Sequence, residues 1–194
     1  MTTIVAVRKN GIVAIAADTL TTFGNTRLPA AMDSSHDKIL HIGESHVGVC
    51  GSAAHHLVLA NLLGKTPEVQ LNSKEAIFET FRKLHPVLKE ECFLNPKEDE
   101  EDPYESSQIT ALIINASGLY GIFSMREVFE YTQYWAIGSG HEFALGAMQQ
   151  AYSRLDNATD IARAGVEAGI AFDKNSAAPI TMYTVALNQA TTFP

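Results

Sequence analysis

MTTIVAVRKNGIVAIAAD, residues 1–18, reads as a β-hairpin that opens at the second residue. Two arms of apolar and β-branched residues flank Lys9-Asn10-Gly11, the composition of a tight turn between paired strands. Chain ends ordinarily fray, so a strand with two leading threonines marks an end that the fold holds. Two registers fit the turn. A two-residue Asn10-Gly11 loop sets Thr3 opposite Asp18. A three-residue Lys9-Asn10-Gly11 loop with Gly11 in a left-handed bulge sets Thr2 opposite Asp18, with Cβ atoms about 5 Å apart.

Outward from the hairpin, the same theme occurs twice. HDKILHI (36–42) and SHVGVCG (45–51) form a second strand pair, and the chain then runs through GSAAHHLVLANLL (51–63) into an amphipathic helix. In the second half, QITALIINASGLYGIFSM (108–125) is again a hairpin, turning between Asn115 and Gly118. EVFEYTQYWAIGSG (127–140) then passes through a Gly-Ser turn into EFALGAMQQAYSRL (142–155). Asn72 with Glu75 suggests a helix start, with Ala76, Ile77, Thr80, Phe81 and Leu84 at helical spacing before Pro86 bends or ends the helix. Asn157 with Asp160 opens IARAGVEAGIAF (161–172), whose Ala164, Gly165, Ala168 and Gly169 permit close packing, and ITMYTVAL (180–187) is a final strand. The expected order is ββββαα, ββββαα, β. It implies a single α+β domain over residues 1–194, a four-layer αββα sandwich of two antiparallel sheets with helices outside.

Composition agrees with one globular domain: 194 residues, of which 46% are hydrophobic and 19% charged. A formal net charge of -8 with only 14 Lys and Arg argues against a nucleic-acid surface. No apolar run reaches the roughly 20 residues needed to span a bilayer, and Arg8 and Lys9 interrupt the only leader-like stretch, so a cytoplasmic protein is expected. Cys50 and Cys92 form neither a disulfide framework nor a CxxC pair and read as buried thiols. His36, His41 and His46 recur at intervals of five, which suits neither a helix face nor a strand face, and no HExxH occurs; no metal and no cofactor are expected. CFLNPKEDEEDPYESS (92–107) breaks the economy of the fold with an acidic insertion at about residues 95–107. It reads as a solvated loop, with a lid or docking surface as the functional alternative.

The chemistry concentrates at the start of the chain. Initiator methionine is normally removed before a residue as small as threonine, which leaves Thr2 with a free α-amino group beside its hydroxyl. An α-amine titrates near 7.7–8.0 and serves as a base, whereas an unaided threonine hydroxyl is a poor nucleophile. Asp18, next to an apolar strand, calls for a cation, and Lys38 at the start of the third strand, beside the first pair in any meander, supplies one. The VCGSAAHH turn offers backbone N–H groups of the kind that bind an oxyanion, with Gly51 the natural donor.

These residues resemble the N-terminal nucleophile hydrolases, specifically the proteasome β-subunit group that includes the bacterial HslV peptidase and other bacterial proteasome homologues. The resemblance runs from Thr2 to about Leu187. It rests on the opening TTIVAVRKNGIVAIAAD, on FGNT, DKIL, VCGSAAHHLVL and AIGSGHEFALGAM, and on FDKNSAAPI at the place of a supporting Asp-x-x-Ser turn. It implies Thr2 as nucleophile, Lys38 as the cation lowering its amine's pKa, Asp18 as the partner of Lys38, and Gly51 as oxyanion donor. Ser139, Asp173 and Ser176 would orient the threonine amine and a water. Thr22 would hold peptide in strand-like pairing, and Thr21, Val49 and Ala53 would line the pocket for the side chain before the cleaved bond. The implied function is a threonine endopeptidase in stacked rings of identical subunits, acting on peptides or unfolded proteins with an ATP-dependent unfoldase as partner. A catalytically silent ring subunit and a small-molecule amide hydrolase of the same superfamily are the alternatives. RLPAAMDSSHD (27–37) is longer than in HslV, Ala177-Ala178 stands where a double glycine often follows the serine, and the acidic insertion has no counterpart.

Overall fold

The computed structural model describes residues 2–65, 69–96 and 100–188. Met1 and residues 97–99 of the acidic run lie outside them. The strands are β1 (Ile4–Lys9), β2 (Ile12–Asp18), β3 (Thr21–Phe23), β4 (Thr26–Leu28), β5 (Ile39–Ile42), β6 (Ser45–Cys50), β7 (Thr110–Asn115), β8 (Gly118–Ile122), β9 (Val128–Glu130), β10 (Tyr134–Ile137) and β11 (Ile180–Ala186). The helices are α1 (Ala53–Lys65) and α2 (Lys74–Glu90) after β6, and α3 (His141–Tyr152) and α4 (Ala158–Phe172) after β10.

Asn10 and Gly11 both take positive φ, 49° and 77°, so the first hairpin turns on two residues and pairs Ile4 with Ala17. That geometry matches the natural strand twist. The three-residue register is not formed. β1 alternates its side chains between two cores. Ile4 and Ala6, with Val13, Ile15 and Ala17 of β2, meet Ile39, Leu112, Ile114 and Leu119 between the sheets. Val5 and Val7, with Ala14 and Ala16, pack under Ala144, Met148, Ile161, Ala162 and Val166 of α3 and α4. A third cluster joins Val47, Ala111 and Ile113 to Leu59, Leu63, Ile77 and Phe81 of α1 and α2. The layers are therefore helix, sheet, sheet, helix, as the patterning implies.

Each sheet draws on both halves of the chain. One runs β10-β1-β2-β11 and the other β5-β6-β7-β8-β9, all pairings antiparallel. A separate β3-β4 hairpin, absent from the sequence-based order, follows β2. Helix α2 departs from expectation at both ends. Ser73, not Asn72, is its cap, accepting from Ala76 N at 3.1 Å. Pro86 does not end it: the helix continues to Glu90, because Phe81, Leu84 and Leu88 are buried along one face and offset the cost of the ring. Asn157 caps α4 as expected, accepting from Thr159 N at 2.9 Å.

Candidate active site

With Ile4 opposite Ala17, the next pair at the end of the hairpin is Thr3 and Asp18: Asp18 N donates to Thr3 O at 3.1 Å and Thr3 N to Asp18 Oδ1 at 3.0 Å. Thr2, one residue further out, nonetheless reaches the same carboxylate, its Oγ1 donating to Asp18 Oδ1. Lys38 closes the triangle, with Nζ 2.7 Å from Thr2 Oγ1 and 2.7 Å from Asp18 Oδ1. It arrives just before β5, an edge strand of the facing sheet, and not from a strand beside β1 and β2 as the meander reading has it.

Asp18 is fully buried and fully satisfied: Leu20 N and Ala177 N donate to Oδ2 at 3.0 and 3.1 Å. The latter bond ties the 173–177 turn to the β2 carboxylate. Burial holds the Lys38 ammonium below the ordinary lysine range, opposed by the Asp18 charge and hydrogen bond.

A second carboxylate supports the other flank. Thr2 N donates to Ser139 Oγ at 3.2 Å, and Ser139 Oγ donates to Asp173 Oδ2 at 2.6 Å. Ser139 lies in the turn between β10 and α3, and Asp173 caps α4. Burial pushes the Asp173 carboxyl up, but hydrogen bonds from Ser139, Asn175 and Ser176 outweigh it, leaving its pKa below the usual carboxylate value. Ser176 Oγ donates to the same Asp173 Oδ2 at 2.9 Å and lies 2.8 Å from Thr3 Oγ1, so it is joined to the Thr2 nitrogen through Asp173 and Ser139.

Beside Thr2 opens a cavity of about 590 Å³ whose wall includes Thr21, Thr22, Val49, Gly51 and Ala53. Gly51, at φ 111°, takes the left-handed backbone between β6 and α1 that favours glycine. Thr21 and Thr22 belong to β3. The Cys50 thiol, also in the wall, is pushed up to about 11 by burial and stays protonated at neutral pH, so it does not compete as nucleophile.

The family model for proteasome subunits matches residues 1–185. The chain belongs to the proteasome subunit family. Among solved structures, this proteasome-family subunit is similar to the BPH of Thiobacillus denitrificans at 38% identity and a TM-score of 0.89, both alone and in complex with epoxomicin. The match covers 96% of this chain and 100% of the BPH chain in the complex, 98% in the other structure. Eukaryotic HslV from Trypanosoma brucei shares the fold at 23% identity and a TM-score of 0.67, over 95% of this chain and 99% of that one. No curated protein sequence matches.

Three features of the subunit escape the sequence reading. The β3-β4 hairpin, signalled only by Gly24-Asn25, brings Phe23 and Leu28 to the cavity. His36 and His56 also line it. His41 and His46 do share a site: they face each other across the β5-β6 hairpin with rings 4.6 Å apart, and Tyr183 packs on both at 4.4 and 5.0 Å. An interval of five with a turn inside it is a cross-strand pair. No described residue of the acidic insertion lines the cavity. Glu105 instead binds Lys89 at 2.7 Å and His85 at 3.2 Å on α2, in the outer helix layer, so the lid reading finds no support. Among the described residues no helix is long and apolar enough to cross a membrane.

Proposed function

We propose that this subunit is a cytoplasmic threonine endopeptidase of a self-compartmentalised ring complex, cutting peptide bonds with Thr2 after Met1 is removed. The observation that carries the reading is Lys38 Nζ at 2.7 Å from both Thr2 Oγ1 and Asp18 Oδ1, with the Thr2 nitrogen held by Ser139. Once free, the Thr2 amine takes the proton from its own hydroxyl, and Oγ1 bonds to the carbonyl carbon of the substrate. Lys38 stabilises the developing alkoxide and disfavours the ammonium form of the amine. The carbonyl oxygen becomes an oxyanion at the Gly51 turn. Collapse breaks the C–N bond, with the amine returning the proton to the leaving nitrogen. The same amine then takes a proton from water, which hydrolyses the Thr2 ester and restores the hydroxyl.

Thr22 would pair with the substrate backbone, while Thr21, Val49 and Ala53 would receive the side chain before the cut. Identical subunits in stacked rings, and an ATP-dependent unfoldase delivering unfolded protein, complete the proposal. Exposed Phe143 and Phe172, in mutual contact, give such neighbours an apolar surface to cover.

Intact-mass analysis after exposure to a threonine-directed peptide electrophile tests the reading. The expected chain lacks Met1 and carries one equivalent of probe, and epoxomicin, held by the T. denitrificans BPH, is expected to block its turnover. A chain that keeps Met1 and takes no probe would instead be a silent structural subunit. Replacing residues 100–104 with a short Gly-Ser linker is expected to leave hydrolysis of a small peptide within about twofold of wild type, since surface substitutions away from a site change little. A large rise in rate would restore the lid reading.

A further inference from the structure

The residue after the nucleophile carries an inference that rests on the threonine-peptidase reading above. Thr3 is wholly buried, and its side chain occupies a slot that only glycine leaves open. A Cβ on Gly140 would lie 2.0 Å from Thr3 Oγ1, and one on Gly169 2.3 Å. Its N–H holds Asp18 Oδ1 at 3.0 Å, and its hydroxyl meets Ser176 Oγ at 2.8 Å.

Counting hydrogens gives each bond its direction. Asp173, an ionised carboxylate, only accepts. Ser139 and Ser176 each own a single hydroxyl hydrogen: that of Ser176 lies on Asp173 Oδ2 at 2.9 Å, and that of Ser139 goes to the same carboxylate oxygen at 2.6 Å in preference to the neutral Thr2 O at 3.4 Å. With its hydrogen committed, Ser176 Oγ accepts from Thr3. By the same count Ser139 Oγ accepts from Thr2 N at 3.2 Å. Two hydrogen-bond chains, one from the Thr2 nitrogen and one from the Thr3 hydroxyl, therefore converge on one carboxylate oxygen.

We propose that Thr3 is a positioning residue: by donating to Ser176, its hydroxyl fixes the polarity of the Ser176-Asp173-Ser139 chain, so that Ser139 always presents an acceptor to the Thr2 nitrogen. Through its N–H the same residue aligns Asp18, so Thr3 joins the carboxylates on both flanks of the nucleophile. Without the Thr3 hydrogen, Ser176 Oγ is a buried acceptor lacking its donor and turns away from this geometry. Asp173 keeps the two Asn175 bonds on Oδ1 but loses the Ser176 donor that helps fix Oδ2, and Ser139 is free to aim its own hydrogen at the amine lone pair, the electron pair that must take the Thr2 hydroxyl proton.

The charged groups around the amine are Lys38, Asp18 and Asp173, with the Cys50 thiol neutral. Losing the Ser139 acceptor and the aligned Asp173 charge disfavours the ammonium form. The acid limb of kcat/KM in Thr3→Val therefore moves to lower pH, while kcat falls because the base is misaimed.

The test compares the full-length assembled protein with Thr3→Val, Thr3→Ser and Ser176→Ala, using a fluorogenic peptide across pH and acetic anhydride labelling of the Thr2 amine. Thr3→Val is expected to lower kcat about tenfold with KM within about twofold, and to shift both the acid limb and the labelling profile downward. Ser176→Ala reproduces the shift from the other side of the bond. Thr3→Ser keeps the hydroxyl and restores kcat to within about threefold, although its melting temperature falls with the lost methyl. Equal kcat losses in Thr3→Val and Thr3→Ser, or wild-type kcat and pH limb in Thr3→Val, would overturn the role of Thr3 while Thr2-dependent turnover stands. Retained Met1, or turnover that survives Thr2→Ala, overturns it together with the reading of the site.

Discussion

Peptide hydrolysis by Thr2→Ala is expected to fall to background, on the order of a thousandfold or more below wild type, because nucleophile and general base act as a unit. Alanine keeps the α-amine and removes only Oγ1, so no oxygen remains to form the acyl intermediate. The fold has little reason to change. Asp18 still receives Lys38 at 2.7 Å, Thr3 N at 3.0 Å, and Leu20 and Ala177 on its other oxygen, and Thr2 N still reaches Ser139. Steady-state assays with size-exclusion chromatography make the comparison: wild-type assembly with no turnover is the expected result. Undiminished turnover in that variant would remove Thr2 from the mechanism.

Lys38→Ala is expected to cost nearly as much activity, for a different reason and with a second signature. Among the described residues its ammonium is the only cation paired with Asp18, whose side chain is 0% exposed, so removal leaves a buried carboxylate unpaired. Breaking a buried pair from one side costs about 3–5 kcal/mol of stability. The activity loss has its own cause: a cation beside the amine disfavours protonation, so its loss raises the amine pKa, and Asp18, now uncompensated, raises it further. The acid limb of kcat/KM therefore moves to higher pH, opposite to the shift expected for Thr3→Val. Lys38→Arg separates the two effects. It keeps the charge and most of the stability, but a planar fork does not place one nitrogen 2.7 Å from both Thr2 Oγ1 and Asp18 Oδ1. Full activity in Lys38→Arg would show that charge alone suffices.

Much of this site is legible in the sequence because its parts sit in local patterns. Thr2 and Asp18 lie at the two ends of one hairpin, Ser139 in a Gly-Ser turn before a helix, and Asp173 at a helix end. What escapes is set by distance across the fold. Two turn lengths are compatible with Lys9-Asn10-Gly11, and only the positive φ of both Asn10 and Gly11 selects between them. Nothing near Lys38 reveals that it approaches from the opposite sheet, since strand order is a property of pairings far apart in the chain. β3 and β4, three residues each, are too short to show an alternation. Ser176 pairs with Thr3 across 173 residues, a contact no local spacing encodes.

The weaving of the two halves has a consequence for how such a protein is made. The sheet that carries Thr2 is completed by β10 and β11, Ile180 pairs with Asp18, and Ala177 donates to Asp18 Oδ2. Ser139, Asp173 and Ser176 all come from the last third of the chain. A growing polypeptide on the ribosome therefore carries Thr2 from the outset, yet cannot gather the proposed site around it until its final strand emerges. Completion of the chain, rather than its beginning, is what assembles the proposed cutting apparatus.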